Sequence, residues 1–508
     1  MEENEKRKNL GISAFVLLLS GVVCKVLGAF FRFPLTNLLG FEGIGIFQMI
    51  MSIYSFALVA TCGGVTITLA KLISSARARG EENKIGTYFA RAMLIGVGSG
   101  LVIGLAFFFG WRGISAFQGI TENKSYMLFL VLLPTGSIVA TIRGYFQGYE
   151  NMMPTAISQV IEQVIKFAFG LFFAYIFGKL GVSNGVFGAF LGIVASEIVA
   201  LLVVFVWFLL KRKKTKYRTD NVAKKEFDKA NFLVLCSAAI LPFASAIDGL
   251  VIVPRLVSSG LSNEMAVKLF GLQSGAIGAI LNLPLVISVA VATLLLPSIS
   301  FAISKGKSAK WLIEKALKLL LIFVLPTTFG LVAISKQMLP LFYIDMDDNL
   351  LQIAFNLMVY GGFSIVFTAL MQFFVMLLQA TGNFKYNLLI TGIGGTAKVV
   401  LTIVLAAVPD INIFAVVFGN LILTTLICIL SLIRLKKTLD FKLPFMDIFI
   451  LLFSTLCMTV AVYSFMQAEY FSIIPNILVG ILLGIVVYVV FTTPVLLKIF
   501  QKRRAKMV

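Results

Sequence analysis

Fourteen long apolar stretches, separated by short polar ones, set the pattern of this chain. They run approximately over 12–31, 44–70, 88–110, 126–146, 154–178, 185–210, 231–254, 270–299, 312–334, 351–379, 386–408, 411–433, 445–467 and 473–497. Each can cross about 30 Å of hydrocarbon as a helix, and backbone in lipid must satisfy its hydrogen bonds internally. The pattern predicts an all-α polytopic membrane protein with about 14 transmembrane helices. Its first run is read as a retained span and not a signal peptide, because no small-residue cleavage site and polar mature region follow it.

Charge orients the spans. Only 13% of the 508 residues are charged, against about 25% in soluble proteins. With the N-terminus in the cytoplasm, 33 of the 43 Lys and Arg fall on the cytoplasmic side, Arg143 among them, and seven outside. That is the positive-inside bias, and it puts both termini in the cytoplasm. The net charge of +20 then reads as a topology and lipid-surface signal, not as nucleic-acid binding. The basic stretch KRKKTKYRTDNVAKKEFDK separates six spans from the next eight and is expected along the membrane surface.

The remaining three cations, Lys25, Lys166 and Lys398, lie within spans, where a charge costs roughly 2.5–3.5 kcal/mol or more. In SGVVCKVLGAFFRFP, Gly21, Lys25, Gly28 and Arg32 share one stripe of a helix at 100° per residue. This small and cationic stripe should face other helices or a wet cavity. Gly96, Gly100 and Gly104 form a small-xxx-small run of the kind that lets helices approach closely.

An internal repeat is visible. Gln147 and Gln379, Asn151 and Asn383, and Lys166 and Lys398 match at one offset of 232, in stretches joining the fourth and fifth spans of each half. The simplest account is a six-helix lobe in 1–210, a basic linker in 211–230, a second six-helix lobe in 231–434, and two additional helices with a basic tail in 435–508. The five cysteines show no paired spacing and there is no histidine, so neither a disulfide framework nor a metal site is expected. No cofactor is implied. Without GxxxxGK[ST] a built-in ATPase is not expected, and without histidine or a clustered acid–base pair neither is an enzyme.

Five stretches carry a resemblance: KVLGAFFRFPLTNLLGFEGIGIFQMIMSIY (25–54), RGYFQGYENMMPTAISQVIEQVIK (143–166), DGLVIVPRLVSSG (248–260), LNLPLVISVAVATLLLPSIS (281–300) and LLQATGN (377–383). The chain resembles the stage V sporulation protein B family of polysaccharide-type transporters. This family belongs to the multidrug/oligosaccharidyl-lipid/polysaccharide (MOP) exporter superfamily, together with the lipid II flippase MurJ. The resemblance implies two six-helix lobes in a V around a cavity that opens alternately to each side. It also implies interior cations that hold a lipid-linked pyrophosphate and a groove for the polyprenyl tail at the last two helices. A bacterial cytoplasmic membrane location follows from it.

Against that frame of expectation, the substrate-binding candidates are Lys25, Arg32, Lys166, Arg255 and Lys398, because phosphate takes the planar fork of arginine or the point charge of lysine. Arg32 and Arg255 have a plainer reading as interfacial side chains, and Lys25 as the partner of Asp248 or Glu162. Glu162, Glu197 and Asp248 are the coupling or ion-pair candidates. Glu162 and Lys166 also suit an intrahelical pair, Glu197 suits a structural pair, and Asp248 must be protonated or paired. The repeat would set Asp248 and Arg255 across a cavity from Lys25 and Arg32. The expected partners are a polyprenyl-pyrophosphate-linked saccharide and membrane lipid, with a monovalent cation or the membrane potential as driving force. The alternative within this fold is a cation-coupled multidrug exporter.

Overall fold

The computed structural model describes residues 2–504, except 121–122, 213–219, 345, 440–442 and positions 287, 289–290, 292–294, 296–298, 300–301 and 304–308; side chains are described from 16 to 497. Among the described residues the chain is helical and no strand occurs. Thirteen runs are long and apolar enough to cross a membrane. The first, Val16–Ala78, has 63 residues, which at 1.5 Å each measure about 95 Å. That is too long for a single crossing, and it contains both the 12–31 and 44–70 spans. Helix α1 (Glu2–Cys62) breaks at Gly40, whose φ of 69° suits a residue without Cβ, and a turn at Gly63–Gly64 leads into α2 (Val65–Ala78). The eighth expected span, 270–299, begins within Asn263–Leu281 and continues into positions outside the described residues.

Two compact units are present, one of Met1–Ala276 with Ile403–Ile413, the other of Ile277–Thr402 with Phe414–Val508. The first holds α1, α2, α3 (Ile85–Phe117), α4 (Phe129–Gly148), α5 (Met153–Gly178), α6 (Val182–Lys211), α7 (Asn221–Ser258) and α8 (Asn263–Phe270). Close packing of α3 on α4 uses the glycine run: a Cβ on Gly100 would stand 3.0 Å from the Leu133 carbonyl carbon, and one on Gly104 2.8 Å from Leu130 Cα. Gly104→Val should therefore force the helices apart, lowering stability by about 1–3 kcal/mol as overpacking does. A melting curve of the purified protein reads this directly.

The described end of the basic linker forms the start of α7. Residues 213–219 lie outside the described residues, but Asp220 caps α7 by accepting from the Val222 and Ala223 amides. Phe227 is fully buried with Leu69, Ile73 and Ile142. Glu226 accepts from the Tyr88 hydroxyl at 2.5 Å, and Asp228 takes a bidentate Arg91 at 2.8 and 2.9 Å. Phe227 fastens this segment to α2 and α4, and the acidic residues interspersed among the lysines fasten it to α3.

The second unit contains the short α9 (Gly278–Leu281), α10 (Lys310–Phe342), α11 (Asp348–Ala380), α12 (Phe384–Leu405, to Thr402), α13 (Phe414–Leu439), α14 (Phe445–Gln467) and α15 (Ile473–Arg504). The two stretches matched in sequence at an offset of 232 end their helices with the same cap. Asn151 N–H donates to the Phe146 carbonyl and Glu150 N–H to Gln147; 232 residues on, Asn383 N–H donates to Leu378 and Gly382 N–H to Gln379. Glu150 and Gly382 both have positive φ, 63° and 76°. This is the helix ending in which a left-handed residue closes the last turn. Gly382→Ala is expected to cost about 1–2 kcal/mol, the penalty of a Cβ in that conformation, and to lower the melting temperature accordingly.

Candidate substrate site

A charged cluster forms inside the first unit where α4, α5, α6 and the front half of α1 meet. Arg143 on α4 donates to Ser158 Oγ at 2.9 Å and to Glu162 Oε2 at 2.9 Å, both on α5. Most of this ion pair is removed from solvent, with side chains 13% and 19% exposed. One turn beyond Glu162, Lys166 places its Nζ 5.5 Å from the ring centre of Phe31, a cation–π contact with a buried ring. Lys166 also lies in the fields of Glu162, Arg32 and Glu197. Glu197 on α6 is buried, and Glu162, Arg143 and Lys166 all act on it. Beside it lies the fully enclosed Tyr54 hydroxyl, which interacts with the Glu197 carboxylate.

The local sequence explains why these groups converge. Gly28 on α1 faces α5, where a Cβ would stand at an ordinary 3.8 Å from Gln163 Oε1. Residues 158, 162 and 166 are successive turns of one α5 face, so a single approach delivers serine, acid and base to the same place. The cluster has three cations, Arg32, Arg143 and Lys166, and two carboxylates, Glu162 and Glu197, leaving a formal charge of +1.

Four expected residues thus come together: Arg32, Glu162, Lys166 and Glu197. Two expectations change. Glu162 forms its ion pair with Arg143 and not with Lys166, because the guanidinium reaches across from α4 with two hydrogen bonds. Arg143, counted with the cytoplasmic charges, lies inside α4 and belongs to the cluster. Lys25 lies two turns before Arg32 on α1, is exposed, and has no ion-pair partner among the described residues. Asp248 is buried on α7 beside Gly249, which packs on Met49 and Ser52 in the second half of α1. Arg255 is exposed near the end of that helix. Lys398 belongs to the second unit, buried where Gly419 of α13 fits against its side chain.

Lys25→Ala removes a charge that balances no acid, so the protein should reach its normal membrane level. If Lys25 contacts the substrate, transport should be lost in the alanine variant and partly kept in Lys25→Arg, since charge matters more than fork geometry at a flexible diphosphate. Paired immunoblots and vesicle transport measurements check both halves.

A second feature lies wholly in the second unit. An apolar cavity of about 620 Å³ is lined by α10, α14 and α15, with Pro326, Gly330, Met458, Gly484 and Tyr488 in its walls. Polar ties hold these helices together beyond both ends of it. Lys318 pairs with Asp447 at 2.5 Å. Gln337 donates to the Met466 carbonyl at 2.5 Å and accepts from Asn476 at 3.0 Å. Lining residues on α15 run from Gly480 to Leu496, about 24 Å of helix.

These features define the class: a multi-pass, all-α membrane protein with the fold of the MOP-superfamily transporters. The structure of the lipid II flippase MurJ in an inward closed conformation matches with a TM-score of 0.73 at 16% identity, covering 96% of this chain and 100% of that one. An inward-facing multidrug resistance MATE transporter of the MOP superfamily matches with a TM-score of 0.66 at 14% identity, covering 84% and 99%. The chain belongs to the polysaccharide biosynthesis protein family, whose model matches residues 10–303. Among relatives in Bacillus subtilis (strain 168), it is 30% identical to the uncharacterized membrane protein YabM over 79% of this chain and 75% of the relative. It is 28% identical to stage V sporulation protein B over 81% of each.

Proposed function

We propose that the protein is a flippase carrying a polyprenyl-pyrophosphate-linked cell-envelope saccharide, a lipid II-like peptidoglycan precursor or related glycan, from the inner to the outer leaflet of a bacterial cytoplasmic membrane. The observation that carries this reading is the cation surplus of the partly buried Arg32–Arg143–Lys166 cluster, which suits an anionic head group. The apolar cavity of the second unit suits the tail, its wall being about as long as five isoprene units. In this reading both termini are cytoplasmic and the lobes 1–210 and 231–434 alternate access, with 435–508 serving the lipid tail. An inside-negative potential favours outward movement by about 2.3 kcal/mol per charge per 100 mV, so roughly two net negative charges on the pyrophosphate give about 4–5 kcal/mol without ATP.

Cation-coupled export of hydrophobic cations is the second reading, favoured by one feature, the buried Glu197 carboxylate. The surrounding cations oppose a cationic substrate. Ligand-induced thermal stabilisation separates the two. A polyprenyl pyrophosphate should raise the melting temperature, while the matching polyprenol and a lipophilic cation should not. Stabilisation by the lipophilic cation alone would favour the exporter.

A further inference from the structure

At one end the apolar cavity of the second unit closes on three walls at the same level. The last lining residues in that direction are Ile334 on α10, Val462 on α14 and Gly480 on α15. One turn further along these helices stand Gln337, Met466 and Asn476. They are joined to one another. Gln337 Nε2 donates to the Met466 carbonyl, and Asn476 Nδ2 donates to Gln337 Oε1. The Met466 side chain fills the gap between α14 and α15, since a Cβ on Gly480 would stand 2.9 Å from its sulfur. Met466 and Asn476 are buried, at 4% and 1% exposure.

Tying three helices together does not require amides here. Leucine at position 476 would leave no polar group to satisfy, whereas Asn476 Oδ1 is enclosed and has no hydrogen-bond partner among the described residues, an unfavourable arrangement. What the amides add is resistance to hydrocarbon. A prenyl tail pushed past this level would part both hydrogen bonds and leave two donors and two acceptors against an apolar chain. It would gain little in return, because the carbons that enter leave lipid and not water.

We infer that Gln337 and Asn476, with Met466 between them, form a polar stop that fixes how far a prenyl tail enters the cavity. Tails of different length then seat to the same depth, with the excess left in the bilayer. This rests on the reading of the cavity as the tail site, and it assigns the residues that set the tail's position within it.

The test is photo-cross-linking of the full-length protein in lipid nanodiscs. The probes are farnesyl, geranylgeranyl and undecaprenyl pyrophosphate, each with a diazirine at the end of the tail, and labelled positions are mapped by peptide mass spectrometry. In the wild type, label should fall on the cavity walls, between Gly480 and Leu496 on α15 and at Met458 and Val462. The segment 467–475, just beyond the stop, should stay unlabelled by every probe. In Gln337→Ala/Asn476→Ala, labelling of 467–475 by the longer probes should rise about tenfold, the factor for one ordinary hydrogen bond that no longer has to be broken. Asn476→Ala alone leaves the bond from Gln337 to Met466 and should give a smaller rise at the same positions, which keeps the test open if the double variant is unstable. Wild-type labelling of 467–475 as strong as that of the walls would overturn the stop. So would wall labelling that is confined alike in the wild type and both variants, and the tail reading would then stand without it. An absence of label on the cavity walls with every probe would remove the tail reading itself and the stop with it.

Discussion

Lys166→Ala is expected to reduce transport by at least tenfold while leaving the fold intact, and Arg143→Ala to lose both. The difference lies in what each cation balances. Arg143 neutralises Glu162 through a largely buried bond and also holds Ser158. Removing it strands a carboxylate, which costs about 3–5 kcal/mol for a fully buried pair and somewhat less here. Lys166 has no carboxylate within ion-pair distance among the described residues, and it makes a cation–π contact with the Phe31 ring. Its loss forfeits a cation–π contact of about 1 kcal/mol. A charge-assisted bond to phosphate is worth more, about 1.5–3 kcal/mol, or roughly 10–150-fold in rate if it persists through the rate-limiting step. Melting temperature and vesicle transport, measured together on both variants, separate the two roles. Equal transport by Lys166→Ala and the wild type would make the lysine a packing residue.

Gly330→Leu tests the tail cavity, with the effects on stability and transport pointing in opposite directions. A Cβ at Gly330 meets only Met458 Cε, at an ordinary 3.8 Å, so a longer side chain extends into the cavity and not into a neighbouring helix. Replacing glycine in a helix interior gains about 0.8–1 kcal/mol of helix propensity, and the melting temperature should hold or rise. A leucine that displaces one five-carbon isoprene unit removes about 4 kcal/mol of burial at roughly 0.8 kcal/mol per carbon. Binding of a long-chain polyprenyl pyrophosphate should fall by two to three orders of magnitude on that basis. Gly330→Ala, adding one methyl group, should be nearly silent. If leucine leaves long-chain binding unchanged, the tail does not lie in this cavity.

Much of the architecture was legible because hydrophobic length is a strong signal in a membrane protein. Thirteen of the fourteen runs have counterparts in the described helices and the eighth, 270–299, is described only in part; the first two form one apolar run broken only at Gly40 and Gly63–Gly64. Gly96, Gly100 and Gly104 pack as their spacing implies. The repeat was visible in three side chains, but its physical content is a backbone cap, in which Glu150 occupies the left-handed position that Gly382 takes in the other copy. Nothing in the residue types at that pair announces the match.

The site was less legible, for a geometric reason. Intramembrane charge alone marked Lys25, Lys166, Glu162, Glu197 and Lys398 as costly, but pairing depends on which helices touch. Sequence proximity favoured Glu162–Lys166, whereas the fold supplies Arg143 from the neighbouring helix with better hydrogen-bond geometry. Arg143 was hidden by its place near the end of a span, where a cation reads as interfacial.

The central claim is that the cationic cluster moves a lipid-linked anion across the bilayer. Its most direct measurement is transbilayer movement of lipid II in proteoliposomes, wild type beside Lys166→Ala, under an imposed inside-negative potential. Movement that accelerates with potential and is lost in the variant is the predicted result. Movement insensitive to both potential and Lys166, or efflux of a lipophilic cation with no lipid translocation, would contradict it.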